Sequence, residues 1–341
     1  MVLIGVDPHK ASHTAVAIDA DETVLDRLQV RSDAKQCERL MSWADRFDER
    51  SWAIESAAGL GHLLSQQLVA AGEHVVDVPA TLSARVRVLG SGRSSKNDPN
   101  DALATAIAAL RQPSLRVVTA EDHTAICRLL AGRYRQLQSD RQRTICRLHA
   151  VLTNLTPGGF SSRLNADRAG LALRRIHPTN AVETERKQIA LDYLVGLRRV
   201  DRDLAQLRAR MAAAVTVADT TVTDIFGVGP IAACLILGHT GDVTRFATAD
   251  RYASYNATAP VEASSGPNVR HRLNLRGNRQ LNHAMHIAAI AQMTHDGPGR
   301  IYYDRKIAEK KRHKDALRAL KRRISNNVYR HLVADASRHR L

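Results

Sequence analysis

The chain opens on apolar runs separated by short polar turns. LIGVDPHKASHTAVAIDA (3–20) reads as strand, turn and strand, and ETVLDRLQV (22–30) adds a third strand-like run, so a β-meander is predicted at the start. The spacing then changes. SDAKQCERLMSWADRF (32–47) places Cys37, Leu40, Met41, Ala44 and Phe47 at helical intervals behind Ser32, a residue able to cap, and the strand-like SWAIES (51–56) follows. GLGHLLSQQLVAAG (59–72) predicts a helix stopped by Gly72, and HVVDVP (74–79) a buried strand in a parallel βαβ unit. Three antiparallel strands followed by α/β units is an RNase H-like order.

Beyond this region the pattern becomes helical. GSGRSSKNDPND (90–101) is a polar, turn-rich loop whose Pro99 suits the first turn of the helix DALATAIAALR (101–111). Arginine-rich stretches over 120–155 and 184–215 carry Leu137, Ile145, Leu148 and Leu152, then Leu194, Leu197, Leu204 and Leu207, at helical spacing. They predict two long helices, arranged as a coiled-coil hairpin, with TPGGFSSRLNADRAG (156–170) as the loop-forming break between them. TDIFGVGPIAACLILGHTGDVTRF (223–246) then sets a tight Gly-Val-Gly-Pro turn between apolar helical segments and opens a further domain. The expected division is an α/β RNase H-like domain over 1–120, a helical coiled-coil region over 121–215, and a mainly α-helical domain over 216–341.

Charge sharpens this division. The chain has 341 residues, and 50 Lys+Arg against 34 Asp+Glu leave a net +16, which favours a polyanionic partner through counterion release. Residues 1–80 hold 7 basic and 13 acidic residues, whereas 300–341 hold 14 basic and 4 acidic, so the two ends have different tasks. The apolar fraction is 44%, no apolar run approaches a membrane span, and the first ten residues lack a signal-peptide layout, so no membrane partner and a cytoplasmic, nucleoid-associated protein are expected. Cys37, Cys127, Cys146 and Cys234 are scattered without metal-ligand or disulfide spacing and are read as buried small residues.

The candidate chemistry lies in the acidic half. Asp7 sits on the first strand, Glu55 at the end of a later one, and Asp98 and Asp101 at a helix mouth, where i, i+3 spacing puts them on one face. Strand ends converge in an RNase H-like fold, and clustered carboxylates suit hard Mg²⁺ or Mn²⁺ ions, which can activate a nucleophile and stabilise a leaving oxygen in phosphodiester cleavage. Any one of these acids alone reads as an ordinary solvated cap. Together with the fold order, they favour metal.

GVDPHK, AIES and KNDPNDA, in this order and spacing, resemble the DEDD-type insertion-sequence transposases, whose first domain is similar to the RuvC Holliday-junction resolvase. The resemblance continues through IFGVGPIAA, APVEASSGPNVRHRLNLRGNRQLNHAM and IYYDRKIAEKKRHKDALRALKRRI, nearly the whole chain. It implies a DNA recombinase in which Asp7, Glu55, Asp98 and Asp101 bind divalent metal and a C-terminal serine attacks a DNA phosphate. That serine precedes a glycine, which points to Ser265 before Gly266, with Ser264 beside it as the other choice. The segment SYNATAP (254–260) departs from the family's usual small-apolar stretch. From the residues alone, SSG is simply a loop.

Gly227-Val228-Gly229-Pro230 reads either as the turn of a helix-hairpin-helix, whose backbone N–H groups can hold a phosphate through Gly227 and Gly229, or as a plain helix break. The resemblance also sets Arg270, Arg272, Arg276 and Arg279 near the nucleophile, where they could clamp phosphates, and puts His9 and Lys10 in the opening motif beside the metals. The basic C-terminal helix (309–332) has Ala316, Leu317, Leu320 and Ile324 on one side and reads equally as nucleic-acid-binding or structural. For such a recombinase, the resemblance implies donor and target DNA and a guide RNA encoded by the element as partners. A homodimer assembling to a tetramer is expected on DNA. Two rivals remain: a RuvC-like metal-dependent endonuclease without serine chemistry, and a non-enzymatic nucleic-acid-binding protein.

Overall fold

The computed structural model describes residues 1–91, 98–157, 164–262, 271–272, 274 and 277–338. It falls into two compact units, Met1–Glu121 and Asp122–Leu341.

In the first unit β1 (Val2–Pro8), β2 (Ser12–Ile18) and β3 (Val24–Arg31) form the expected antiparallel meander. The chain continues through α1 (Gln36–Ala44), β4 (Arg50–Glu55), α2 (His62–Ala70), β5 (Val75–Val78), α3 (Ala80–Ser91), α4 (Asp98–Arg111) and β6 (Arg116–Val117). β4 pairs with β1 and β5 with β4, both parallel, and the short β6 closes the edge antiparallel to β5. The sheet order β3-β2-β1-β4-β5-β6 is that of an RNase H-like fold with an added edge strand.

Period-two alternation sorts the strand residues onto two covered faces. Ile4, Val6, Ala15, Ala17, Trp52 and Ile54 pack with Leu40, Ala44, Leu64 and Leu68 from α1 and α2. Leu3, Val16, Ile18 and Ala53 pack with Ala102 and Ala106 of α4. Coverage on both sides explains why β1, β2 and β4 read as nearly unbroken apolar runs. Ser32 does not cap α1: Lys35 stands at that position, and the Ser32 hydroxyl donates instead to Gln36 Oε1 at 3.2 Å.

The second unit is mainly helical, with α5 (His123–Thr153), α6 (Ala166–Arg175), α7 (Ala181–Val217), α8 (Pro230–Thr240), α9 (Ala249–Tyr255), α10 (Arg279–Thr294), α11 (Pro298–Ala308) and α12 (His313–Arg338). Two-residue strands β7 (Val261–Glu262) and β8 (His271–Arg272) pair antiparallel between α9 and α10. The two long helices α5 and α7 pack along each other. Leu148, Leu152, Leu194 and Leu197 form one core with Leu173 of α6. Leu130, Leu137, Leu204, Leu207 and Met211 join a second core around α8. Every residue from Ala232 to Leu237 is buried, which accounts for an apolar run without helical periodicity.

Two expectations need correction. The break between the long helices contains α6, because the Asn165 side chain accepts from the Arg168 backbone N–H at 2.9 Å and Ala169 and Leu173 bury against α7. Of the four cysteines only Cys127 and Cys234 are buried: Cys146 is exposed on α5 and Cys37 half-buried on α1. Cys146 lies on the exposed side of α5, where the Gln142 side-chain amide donates to its Sγ at 3.4 Å, so its residue type did not decide its place.

Candidate metal centre

The site forms where β1 and β4 end side by side. Their parallel register pairs Val6 with Ile54, so Asp7 and Glu55 occupy the next level of the ladder, on the face covered by α4. α4 starts at Asp98 and carries Asp98 and Asp101 in its first turn. Gly5, one level below Asp7 on the same face, sets the depth of α4. A Cβ there would meet the Ala102 carbonyl oxygen, and Ala106 N at 2.5 Å. A glycine inside a strand signals close backbone approach, and here the approaching backbone belongs to the helix that carries two of the acids.

Asp7, His9 and Asp98 offer ligand atoms that all lie within 4.8 Å of one another. His9 stands between the carboxylates, Nε2 at 3.5 Å from Asp7 Oδ2 and Nδ1 at 3.5 Å from Asp98 Oδ2. The other two acids have partners of their own. Asp101 is ion-paired with Arg87. Glu55 Oε2 lies 3.4 Å from the Thr105 hydroxyl, which also donates to the Asp101 carbonyl at 2.9 Å and sits 3.2 Å from Ser83 Oγ.

Electrostatics bind the four acids into one group. Burial pushes the Asp7 carboxyl up to about 6, His9 opposes the shift, and repulsion from Glu55, Asp101 and Asp98 adds to it. Asp7 Oδ2 is buried without a hydrogen-bond partner. A buried carboxylate oxygen that makes no hydrogen bond, grouped with His9 and Asp98 and repelled by Glu55 and Asp101, is a donor set that a divalent cation would satisfy. The residues present fit such an ion.

Of the remaining candidates, Lys10 is exposed in the β1–β2 turn, next to His9. Gly227 takes a left-handed φ of +85°, and Gly229 caps α8 with Pro230 in the first turn. Arg279 is exposed at the start of α10. Ser264, Ser265, Arg270 and Arg276, and the Arg272 side chain, lie outside the described residues. The opening motif puts His9 beside the metals without showing that it stands between Asp7 and Asp98, and Arg87, Thr105 and Gly5 are absent from the sequence-based set. Thr105 had a signal, standing one turn after Asp101 on the same helix face, and so had the strand glycine. Arg87 had none, because its partner is 14 residues away with no helical or strand spacing to link them.

Two family models match the chain. One, for a DEDD transposase of IS110 type, covers residues 4–157 and so all four acids. The other, for the transposase IS116/IS110/IS902 family, covers 219–304 and so the Gly-Val-Gly-Pro turn and both serines. This chain belongs to the IS110/IS116/IS902 family of insertion-sequence transposases. It is therefore a DNA transposase/recombinase, an enzyme whose substrate is DNA.

Relatives of the transposase include the insertion element IS116 uncharacterized 44.8 kDa protein of Streptomyces clavuligerus, 28% identical over 94% of this chain and 92% of that protein. The insertion element IS900 uncharacterized 42 kDa protein of Mycobacterium paratuberculosis is 29% identical over 96% and 94%. Among solved structures, Thermus thermophilus RuvC in complex with a Holliday junction substrate is similar at 15% identity and a TM-score of 0.28, over 35% of this chain and 99% of that one. The RNase H-like assignment rests on the strand order, not on that likeness. Among the described residues, no helix is long and apolar enough to cross a membrane.

Proposed function

We propose that this transposase cuts and rejoins DNA with Mg²⁺, or Mn²⁺ in its place, held by Asp7, Glu55, Asp98 and Asp101, and with Ser265 as the nucleophile. The observation that carries the reading is the buried Asp7 Oδ2, which makes no hydrogen bond, lies 3.5 Å from His9 Nε2 in a group completed by Asp98, and feels repulsion from Glu55 and Asp101. When bound, the divalent cation supplies charge neutralisation at the phosphate and eases deprotonation of the attacking hydroxyl. Asp101 would exchange Arg87 for the ion, and His9 would hold Asp7 and Asp98 in place.

The covalent step balances without an outside energy source. The Ser265 Oγ forms a bond to phosphorus, its proton passes to solvent, the bond to the bridging sugar oxygen breaks, and that oxygen takes up a proton. Rejoining is the reverse, with an incoming sugar hydroxyl displacing the serine. The pairing of Val261 with Arg272 and of Glu262 with His271 supports this role, since it brings together the two ends of the stretch carrying Ser264 and Ser265.

We further propose that an element-encoded RNA guides site choice, and that a dimer assembles to a tetramer on donor and target DNA near the nucleoid. The net +16 supports a second polyanion. Exposed Ile126 and Leu129 on α5, with Val182 and Val195 on α7, support coiled-coil pairing between chains. The geometry at Gly227 and Gly229 supports a helix-hairpin-helix grip on a phosphate.

The test is to incubate protein, Mg²⁺, the flanking RNA of the element and labelled junction DNA, and to look for protein-linked DNA on denaturing gels. An adduct lost in both Ser265→Ala and Asp7→Ala is the expected result. Free cleavage products without an adduct, surviving Ser265→Ala, would establish instead a metal endonuclease of resolvase type.

A further inference from the structure

A second site lies in the helical unit, in a cavity of about 510 Å³ between α12 and the turn formed by residues 257–260. Its charged lining is Lys311, Arg318, Lys321 and Arg322 against one carboxylate, Asp315. Asp315 is already shared between Arg318 at 3.0 Å and Arg312 at 3.2 Å. The Lys321 ammonium, pushed below its ordinary range by burial and then by Arg318, donates to Asn282 Oδ1 at 2.5 Å, an uncharged acceptor. Arg322 spends Nη2 on Asp250, while its Nη1 is buried without any partner. A buried guanidinium N–H without an acceptor is costly, and cations packed around an empty volume repel one another. Both deficits disappear when an anion with several acceptor oxygens enters.

We propose that this cavity seats a phosphodiester of the DNA strand that runs to the serine segment. Its size exceeds a single phosphate and leaves room for the attached sugar. The choice of DNA rests on the serine reading of the preceding section and on chain continuity. The wall at Ala257–Pro260 runs directly into Val261–Glu262 and then to Ser264 and Ser265. Five residues of chain reach at most about 18 Å, so a strand held here passes within a few nucleotides of Ser265. Lys311, Arg318, Lys321 and Arg322 would then position the strand.

The test uses the full chain with the element RNA and with DNA carrying neutral methylphosphonates at single positions around the cleavage site. Lys311 and Arg318 are exposed, so the double variant Lys311→Gln with Arg318→Gln keeps the fold, and its unchanged melting temperature verifies this. Arg330→Gln, an exposed cation on the same helix outside the cavity, controls for lost charge. The double variant should weaken DNA binding about tenfold and lower the salt slope by about one to two, with Arg330→Gln near wild type. One methylphosphonate position, within a few nucleotides of the cut, should weaken wild type and leave the double variant unaffected. Equal losses at every position, a loss matched by Arg330→Gln, or a loss seen only with RNA would overturn the proposal. Should wild type form no covalent adduct while this coupling is present, the serine reading fails and the phosphate site stands.

Discussion

The carbonyl oxygen of Ala102 occupies the space that a side chain at Gly5 would need. This contact sets α4 against the central strand and brings Asp98 and Asp101 to the level of Asp7. Gly5→Ala must push α4 outward, since the obstruction is backbone and not the end of a flexible side chain. Overpacking of this kind costs about 1–3 kcal/mol. The expected outcome in urea unfolding is a loss of that size, accompanied by at least a tenfold fall in Mn²⁺ affinity although no acid has changed.

The raised pKa of Asp7 predicts a stability change in the metal-free protein. A carboxyl lifted from 3.8 to about 6 gives stability that is complete below pH 4 and lost as pH rises through 6. Asp7→Asn removes the buried charge, so at pH 7.5 without metal it should stabilise the fold, by about 2 kcal/mol. At pH 4 the variant and wild type should melt together. Thermal melts with chelator at the two pH values check both statements.

Much of this unit is legible in the sequence. The meander and the parallel β4 and β5 follow from nearly unbroken apolar runs bounded by polar turns, and Asp7 and Glu55 stand at the ends of two of them. What the sequence could not show is which donors each acid already holds. Arg87 lies 14 residues from Asp101 with no pairing signal in the local pattern, and the i, i+4 place of Thr105 after Asp101 shows its helix face but not its contact with Glu55. In the helical unit α6 escaped notice because Gly158, Gly159 and the serines after Phe160 dominate the composition of a break that ends in an N-cap asparagine.

Asp335 makes the opposite prediction to Asp7. Burial raises its carboxyl, but the Thr221 and Thr220 hydroxyls at 2.7 and 2.8 Å and the Thr221 N–H at 3.0 Å outweigh that and hold it below the usual carboxylate range. Stability from such a group is present above its unfolded value and lost as pH falls through the folded one. Asp335→Ala should cost about 2–3 kcal/mol at pH 7 by freeing the turn before α8 from α12, and the penalty should shrink below about pH 4. Denaturant melts over that range check it.

Leu148 and Leu197 lie fully buried where α5, α6 and α7 meet. Leu148→Ala should destabilise the helical unit by about 2–5 kcal/mol through lost burial and the cavity left behind. The metal-dependent rise in melting temperature of the first unit should persist, measured by calorimetry with and without Mn²⁺.

The most direct test of the carboxylate centre is a Mn²⁺ titration followed by electron paramagnetic resonance, comparing wild type with Asp7→Asn and Asp98→Asn. The account predicts a saturable site in wild type and at least a tenfold loss of affinity in each variant. Equal Mn²⁺ affinity in all three proteins would contradict it.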